Sequence, residues 1–197
     1  MINREQYAPG PAYGARIQKD REQDGPGQKN EAKWTLILVR ELRHSPEKVW
    51  QALTDPAHLR EWAPFDSDGS LGAVGTVKLT WVGNPKALET KVTRADAPNV
   101  LEYNDTRWEL ERATGGGTRL TLWHNIDNRF ISWGAAGWHI SFDVLDHFLA
   151  GTPIGRISRA DAMQFEGWQR LVTEYAKQFG VEAHSRPPNV AQNRESR

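Results

Sequence analysis

Between Val74 and Ile126 the chain alternates apolar and polar residues in short runs, and each run ends in a tight-turn signal. Val74 to Val82 puts Val77, Leu79 and Trp81 on one side, and Asn84-Pro85 turns the chain into Ala87 to Ala95. Asp96-Ala97-Pro98-Asn99 turns it again, into Val100 to Tyr103. A break at Asn104-Asp105 separates Thr106 to Ala113, and Gly115-Gly116-Gly117 leads into Thr118 to Ile126. Closely spaced strands joined by such turns predict an antiparallel meander.

The flanks predict what covers that sheet. Upstream, Trp34 to Leu42 (WTLILVREL) reads as the first secure strand, with Leu36, Leu38 and Arg40 on one face. Ser45 followed by Pro46 is a helix start, since serine accepts from the first free N–H groups and proline has none to lose. Val49, Trp50 and Leu53 form the buried stripe of that helix. Asp55-Pro56 repeats the signal for a second short helix with Leu59 and Trp62 inward, ended by Pro64. Downstream, Ser132 to Ala150 carries Trp138, Phe142, Leu145 and Leu149 at helical spacing, with Gly151 past its end. Ser158, with Asp161 in the capping-box position, starts a last helix whose stripe is Phe165, Trp168, Val172, Tyr175 and Phe179. The expected organisation is a polar extension over 1–33, a folded α+β domain over 34–151, an additional helix within 152–180 and a disordered polar tail over 181–197. Within the extension, Tyr13 to Lys19 reads either as a short edge strand or as loop.

Composition narrows the function classes. There is no cysteine, which excludes disulfides and thiolate metal sites and fits a cytoplasmic protein. The 25 basic and 25 acidic side chains balance, and no basic block suggests nucleic-acid binding. Met1 to Arg16 holds no apolar run like a signal peptide, and no stretch is suited to span a bilayer. Nine tryptophans imply either a heavily aromatic core or an aromatic-lined cavity.

Four segments carry a family likeness: SPEKVWQALTDPAHLREWAPF (Ser45 to Phe65), LGAVGTVKL (Leu71 to Leu79), GGGTRLTLWHNI (Gly115 to Ile126) and AAGWHISFDVLDHFLAG (Ala135 to Gly151). Taken together and in this order, they resemble the START-like (SRPBCC) superfamily, in the branch named after the activator of Hsp90 ATPase. The resemblance implies a helix-grip fold, a curved antiparallel sheet wrapped around the long helix, with an interior cavity between them. Members of the superfamily carry apolar small molecules, cyclise polyketides or act on chaperones. The eukaryotic Hsp90 activator has an additional N-terminal domain, for which the polar residues before Trp34 leave no counterpart.

Strand alternation selects Val77, Leu79, Trp81, Tyr103, Trp108, Leu122 and His124 as cavity-facing, and the helices add Trp62, Phe65, Trp138 and Phe142. A fully packed core accounts for the same residues. Gly134 and Gly137 remove side chains from the start of the long helix. His124 shares strand parity with Leu120 and Leu122, so it reads either as a ligand-orienting or acid–base group or as a core histidine bonded to a backbone carbonyl. His139, Asp143 and His147 recur every fourth residue, with Asp146 beside them. His139 and His147 stand roughly 12 Å apart along a helix, too far to share one ion, and a solvated face explains the pattern. Asp66 and Asp68 fall in a loop near the expected cavity mouth. No cofactor, phosphate-loop or zinc motif is present.

The sequence therefore supports three readings. The first is binding of an apolar or aromatic small molecule, and the second is a cyclase or hydratase using His124 with Tyr103 or Asp66. The third is a chaperone partner of the Hsp90-activator kind. The aromatic stripe of the last helix can bury on its own domain or pair with a second copy in a homodimer.

Overall fold

The computed structural model describes residues 4–19, 34–163 and 166–183. Eight strands form one antiparallel sheet: β1 (Ala15–Lys19), β2 (Trp34–Leu42), β3 (Phe65–Ser67), β4 (Gly75–Trp81), β5 (Ala87–Asp96), β6 (Val100–Tyr103), β7 (Thr106–Arg112) and β8 (Thr118–Ile126). Their order is β1-β2-β8-β7-β6-β5-β4-β3, so the meander from β4 to β8 is closed at one edge by the strands that begin the chain. Helices α1 (Pro46–Thr54) and α2 (Pro56–Trp62) link β2 to β3. The long α3 (Ile131–Leu149) follows β8, and α4 (Arg159–Ala162) and α5 (Glu166–Phe179) come last. The architecture is a helix grip: a curved sheet packed on a long helix, with a further helix behind it. No described helix is long and apolar enough to cross a membrane.

The local signals work as their chemistry requires. The Ser45 hydroxyl accepts from the Lys48 N–H at 3.4 Å, and the Asp55 carboxylate accepts from Ala57 and His58 at 2.7 and 3.2 Å. Ser158 and Asp161 bond reciprocally, each side chain to the other's backbone N–H, at 3.4 and 3.3 Å. Gly151 takes φ +73°, the left-handed turn that ends α3.

Two expectations change. Phe65 and Asp66 belong to strand β3, in which Phe65 faces Trp81 and Asp66 faces Thr80. Pro64 disfavours helical geometry in the residue before it, and the chain leaves α2 extended. Asp66 and Asp68 are structural groups: Asp66 pairs with Arg156 at 2.7 Å, and Asp68 accepts from the Lys78 N–H at 2.7 Å. The last helix is described as two pieces, α4 and α5, and Phe165 lies outside the described residues, as does the expected tail from residue 184 onward.

The back of α3 receives α5. Trp168, Leu171, Val172 and Tyr175 are buried, and Phe179 stacks on Tyr175. The N-terminal residues seal that joint. Glu174 accepts from the Ala12 N–H, Arg170 donates to the Pro9 carbonyl, and Gln178 donates to the Ala15 carbonyl. Gly167 is needed there, because a Cβ would stand 2.5 Å from the Pro9 ring.

Candidate functional site

His124 lies on β8 opposite Leu36 of β2 and Thr106 of β7. Inward parity brings its ring to Trp138 of α3, whose indole Nε1–H donates to His124 Nδ1 at 3.0 Å. An indole N–H can only donate, so Nδ1 accepts and the neutral imidazole carries its proton on Nε2. Burial pushes the imidazole pKa down to about 4, against a smaller opposing pull from the Asp105 carboxylate. His124 is therefore a neutral hydrogen-bond donor near pH 7. Its Nδ1 lone pair is occupied, and it has no proton to give as an imidazolium.

Two spaces open beside it. An inner pocket of about 160 Å³ lies among Phe65, Leu79, Tyr103, Asp105 and Thr106. A larger cleft of about 660 Å³ runs from the β4–β5 turn along α3 toward Trp168. Trp81, His124 and Trp138 border both. Among the described residues no charged side chain lines the larger cleft, and Trp81, 38 % exposed, stands at its rim.

The remaining sequence candidates divide. Phe65, Leu79, Trp81, Tyr103, His124 and Trp138 all line the inner pocket. Trp62, Trp108, Leu122 and Phe142 line neither space and are packed in the core. Trp108 meets Trp62 edge-on at 6.2 Å and Trp138 at 5.4 Å, with Phe142 at 5.8 Å. These rings fill the middle of the grip, where sequence reading expects the cavity, and displace the open space toward the β4–β5 end. Trp62 and Trp108 satisfy their N–H groups on the Ala52 carbonyl and the Tyr103 hydroxyl. Val77 is half-buried against the core and borders neither space.

The His139, Asp143 and His147 face is a polar joint. His139 Nδ1 meets the Tyr175 hydroxyl at 2.8 Å, and Tyr7 donates to Asp143 at 2.7 Å. Among the described residues no group of three metal-ligating side chains is placed to hold an ion.

Sequence reading missed the outer walls of the cleft: the Val82–Asn84 turn, Phe130, Trp133, Ile157 and Met163. Trp133 carried a usable signal, being one helical turn before Gly137. Ile157 and Met163 carried none, because their place depends on how the chain returns after α3.

Residues 43–150, more than half of the chain, match the family described as Activator of Hsp90 ATPase homolog 1-like protein. No protein of curated function matches the sequence. Among solved structures, CalU16 from Micromonospora echinospora is similar in its solution form, with 21% identity over 88% of this chain and 96% of that one, at a TM-score of 0.61. Its crystal form gives 19% identity over 87% and 98%, at 0.59. The conserved protein EF2215 from Enterococcus faecalis, of unknown function, gives 17% identity over 85% and 92%, at 0.58. Identities this low establish a common fold and nothing about activity.

Proposed function

The chain belongs to the Activator of Hsp90 ATPase homolog 1-like family, and from that premise we propose that it binds one apolar or aromatic small molecule in the cleft beside α3. The Trp138–His124 hydrogen bond carries the reading. It leaves His124 Nε2–H as a neutral donor where the largely aromatic cleft meets the inner pocket. Such a site suits a ligand with an apolar body and one acceptor, such as a ketone. The cleft volume of about 660 Å³ falls within the ~300–1,000 Å³ common for small-molecule sites. The same geometry argues against acid–base chemistry by His124, since both its lone pair and its low pKa disfavour proton transfer near pH 7.

The test is a tryptophan-fluorescence titration with flavone, an uncharged ring system bearing one ketone. Saturable one-to-one quenching is expected, and His124→Phe, which removes the donor and keeps a ring, should weaken it about tenfold. Absence of saturable quenching by the wild type, or equal affinity in the variant, counts against the reading.

A further inference from the structure

We infer that Ile157, Ala162, Met163 and Trp168, all outside the family-matched residues, form the far wall of the cleft and select an elongated ligand: uncharged, of at least two linked rings, with its acceptor at one end. The inference rests on the binding reading and adds what that reading leaves open, the length of the molecule and the residues that limit it.

The two spaces differ in who builds them. Among the described residues the inner pocket is bounded by none beyond Trp138, and its volume of about 160 Å³ is well below the ~300 Å³ at the lower end of small-molecule sites. The lining of the cleft includes Ile157, Ala162, Met163 and Trp168, brought there as the chain returns after α3, and Trp168 lies near both Trp133 and Gly137. Trp133 and Trp168 meet edge-on at 5.6 Å and close that end. His124 sits where the cleft joins the inner pocket, so a ligand accepting from Nε2–H extends its apolar body toward them.

Gly137 points the same way. A glycine inside a helix is a poorer helix former than alanine. Packing does not require it, since an added Cβ would meet only Trp168 Cη2, at 3.8 Å, an ordinary contact. Gly134 differs, because its Cβ would come within 2.7 Å of Ile126 Cδ1. The space over Gly137 is cleft floor. Met163, 46 % exposed at the rim, is a flexible apolar side chain suited to closing over rings of varied shape. Among the described residues the lining carries no charge, which makes an uncharged occupant the complementary one.

The experiment compares two methyl ketones on the full chain, acetophenone with one ring and 4-acetylbiphenyl with two. Met163→Ser should weaken 4-acetylbiphenyl roughly fivefold or more through lost apolar burial and leave acetophenone within about twofold. Gly137→Ala should weaken the long ketone while raising the melting temperature; a purely structural glycine would lose stability instead. If the wild type binds acetophenone but not 4-acetylbiphenyl, or if Met163→Ser affects both ketones equally or neither, this inference falls and the binding reading stands. If the wild type binds neither ketone, both fall.

Discussion

The His139 imidazole and the Tyr175 hydroxyl meet at 2.8 Å, and this contact joins α3 to α5. The hydroxyl also lies 3.1 Å from the Tyr13 carbonyl, which can only accept. The single Tyr175 proton serves one of these two contacts, and which one fixes the His139 tautomer; in both, His139 Nε2 is buried. Among the described residues that nitrogen has no hydrogen-bond partner, and the nearest Asp143 oxygen is 3.6 Å away.

This arrangement predicts a definite pH dependence. Burial, with repulsion from Arg40 and Arg170 outweighing Glu174, lowers the His139 pKa from 6.5 to about 3. Below pH 6.5 the unfolded chain takes up a proton that the folded chain refuses, so stability falls as pH drops, down to about 3. Each such group contributes a slope of about 1.4 kcal/mol per pH unit. His124 acts in the same direction down to about 4. Asp143, whose carboxyl burial pushes up, acts in the opposite direction, stabilising the folded chain as pH falls through its raised pKa. Urea unfolding at pH 7, 6 and 5 should show His139→Gln losing stability less steeply than the wild type by about one proton. Parallel curves would mean that His139 is charged in the folded chain.

Arg40 predicts an asymmetry between two substitutions. It is 4 % exposed, donates from Nη1 to the Tyr13 and Val39 carbonyls, and lies 3.9 Å over the Tyr13 ring. Among the described residues its Nε and Nη2 have no hydrogen-bond partner, and its charge is met at longer range by the buried Asp143 carboxylate. A buried, incompletely matched cation is often replaceable by an apolar side chain of similar length. Arg40→Met should therefore stay within about 1 kcal/mol of wild type or exceed it, whereas Arg40→Ala should lose about 2–4 kcal/mol through the cavity. Because Arg40 helps hold the His139 pKa down, Arg40→Met should also raise it, read by NMR titration of the imidazole. A large loss in Arg40→Met would show that the guanidinium is held by more than those two carbonyls.

What the sequence disclosed follows the range of the forces involved. Caps and turns depend on neighbours a few residues away, so Ser45, Asp55 and the Ser158–Asp161 pair were readable directly. Strand parity placed His124 inward because period two tolerates no slip once Leu120 and Leu122 face the core. The three residues of β3 are too few to show alternation. The Trp138–His124 and His139–Tyr175 bonds join residues 14 and 36 positions apart through packing alone, and no local pattern encodes them. The position of the open space was illegible for the same reason: whether Trp108 and Phe142 line a void or fill it is decided by how four rings meet.

The C-terminal helix supplies the last prediction. Trp168, Leu171, Val172 and Tyr175 of α5 are buried within the chain, and burial of such side chains stabilises by roughly 1.5–3 kcal/mol each. The sum is comparable to the whole stability of a domain, typically about 5–15 kcal/mol. A stripe already covered by α3 and by the N-terminal residues has little left to offer a second copy. Deleting Ser158 to Arg197 should thus lower stability sharply and uncover the back of α3, while the full chain runs as a monomer in light scattering. Leu171→Ala, a milder probe of the same joint, should lose about 2–5 kcal/mol with no change in mass. A full chain of twice the monomer mass, with a truncated chain that is monomeric and equally stable, would instead make α5 an assembly element that pairs two copies.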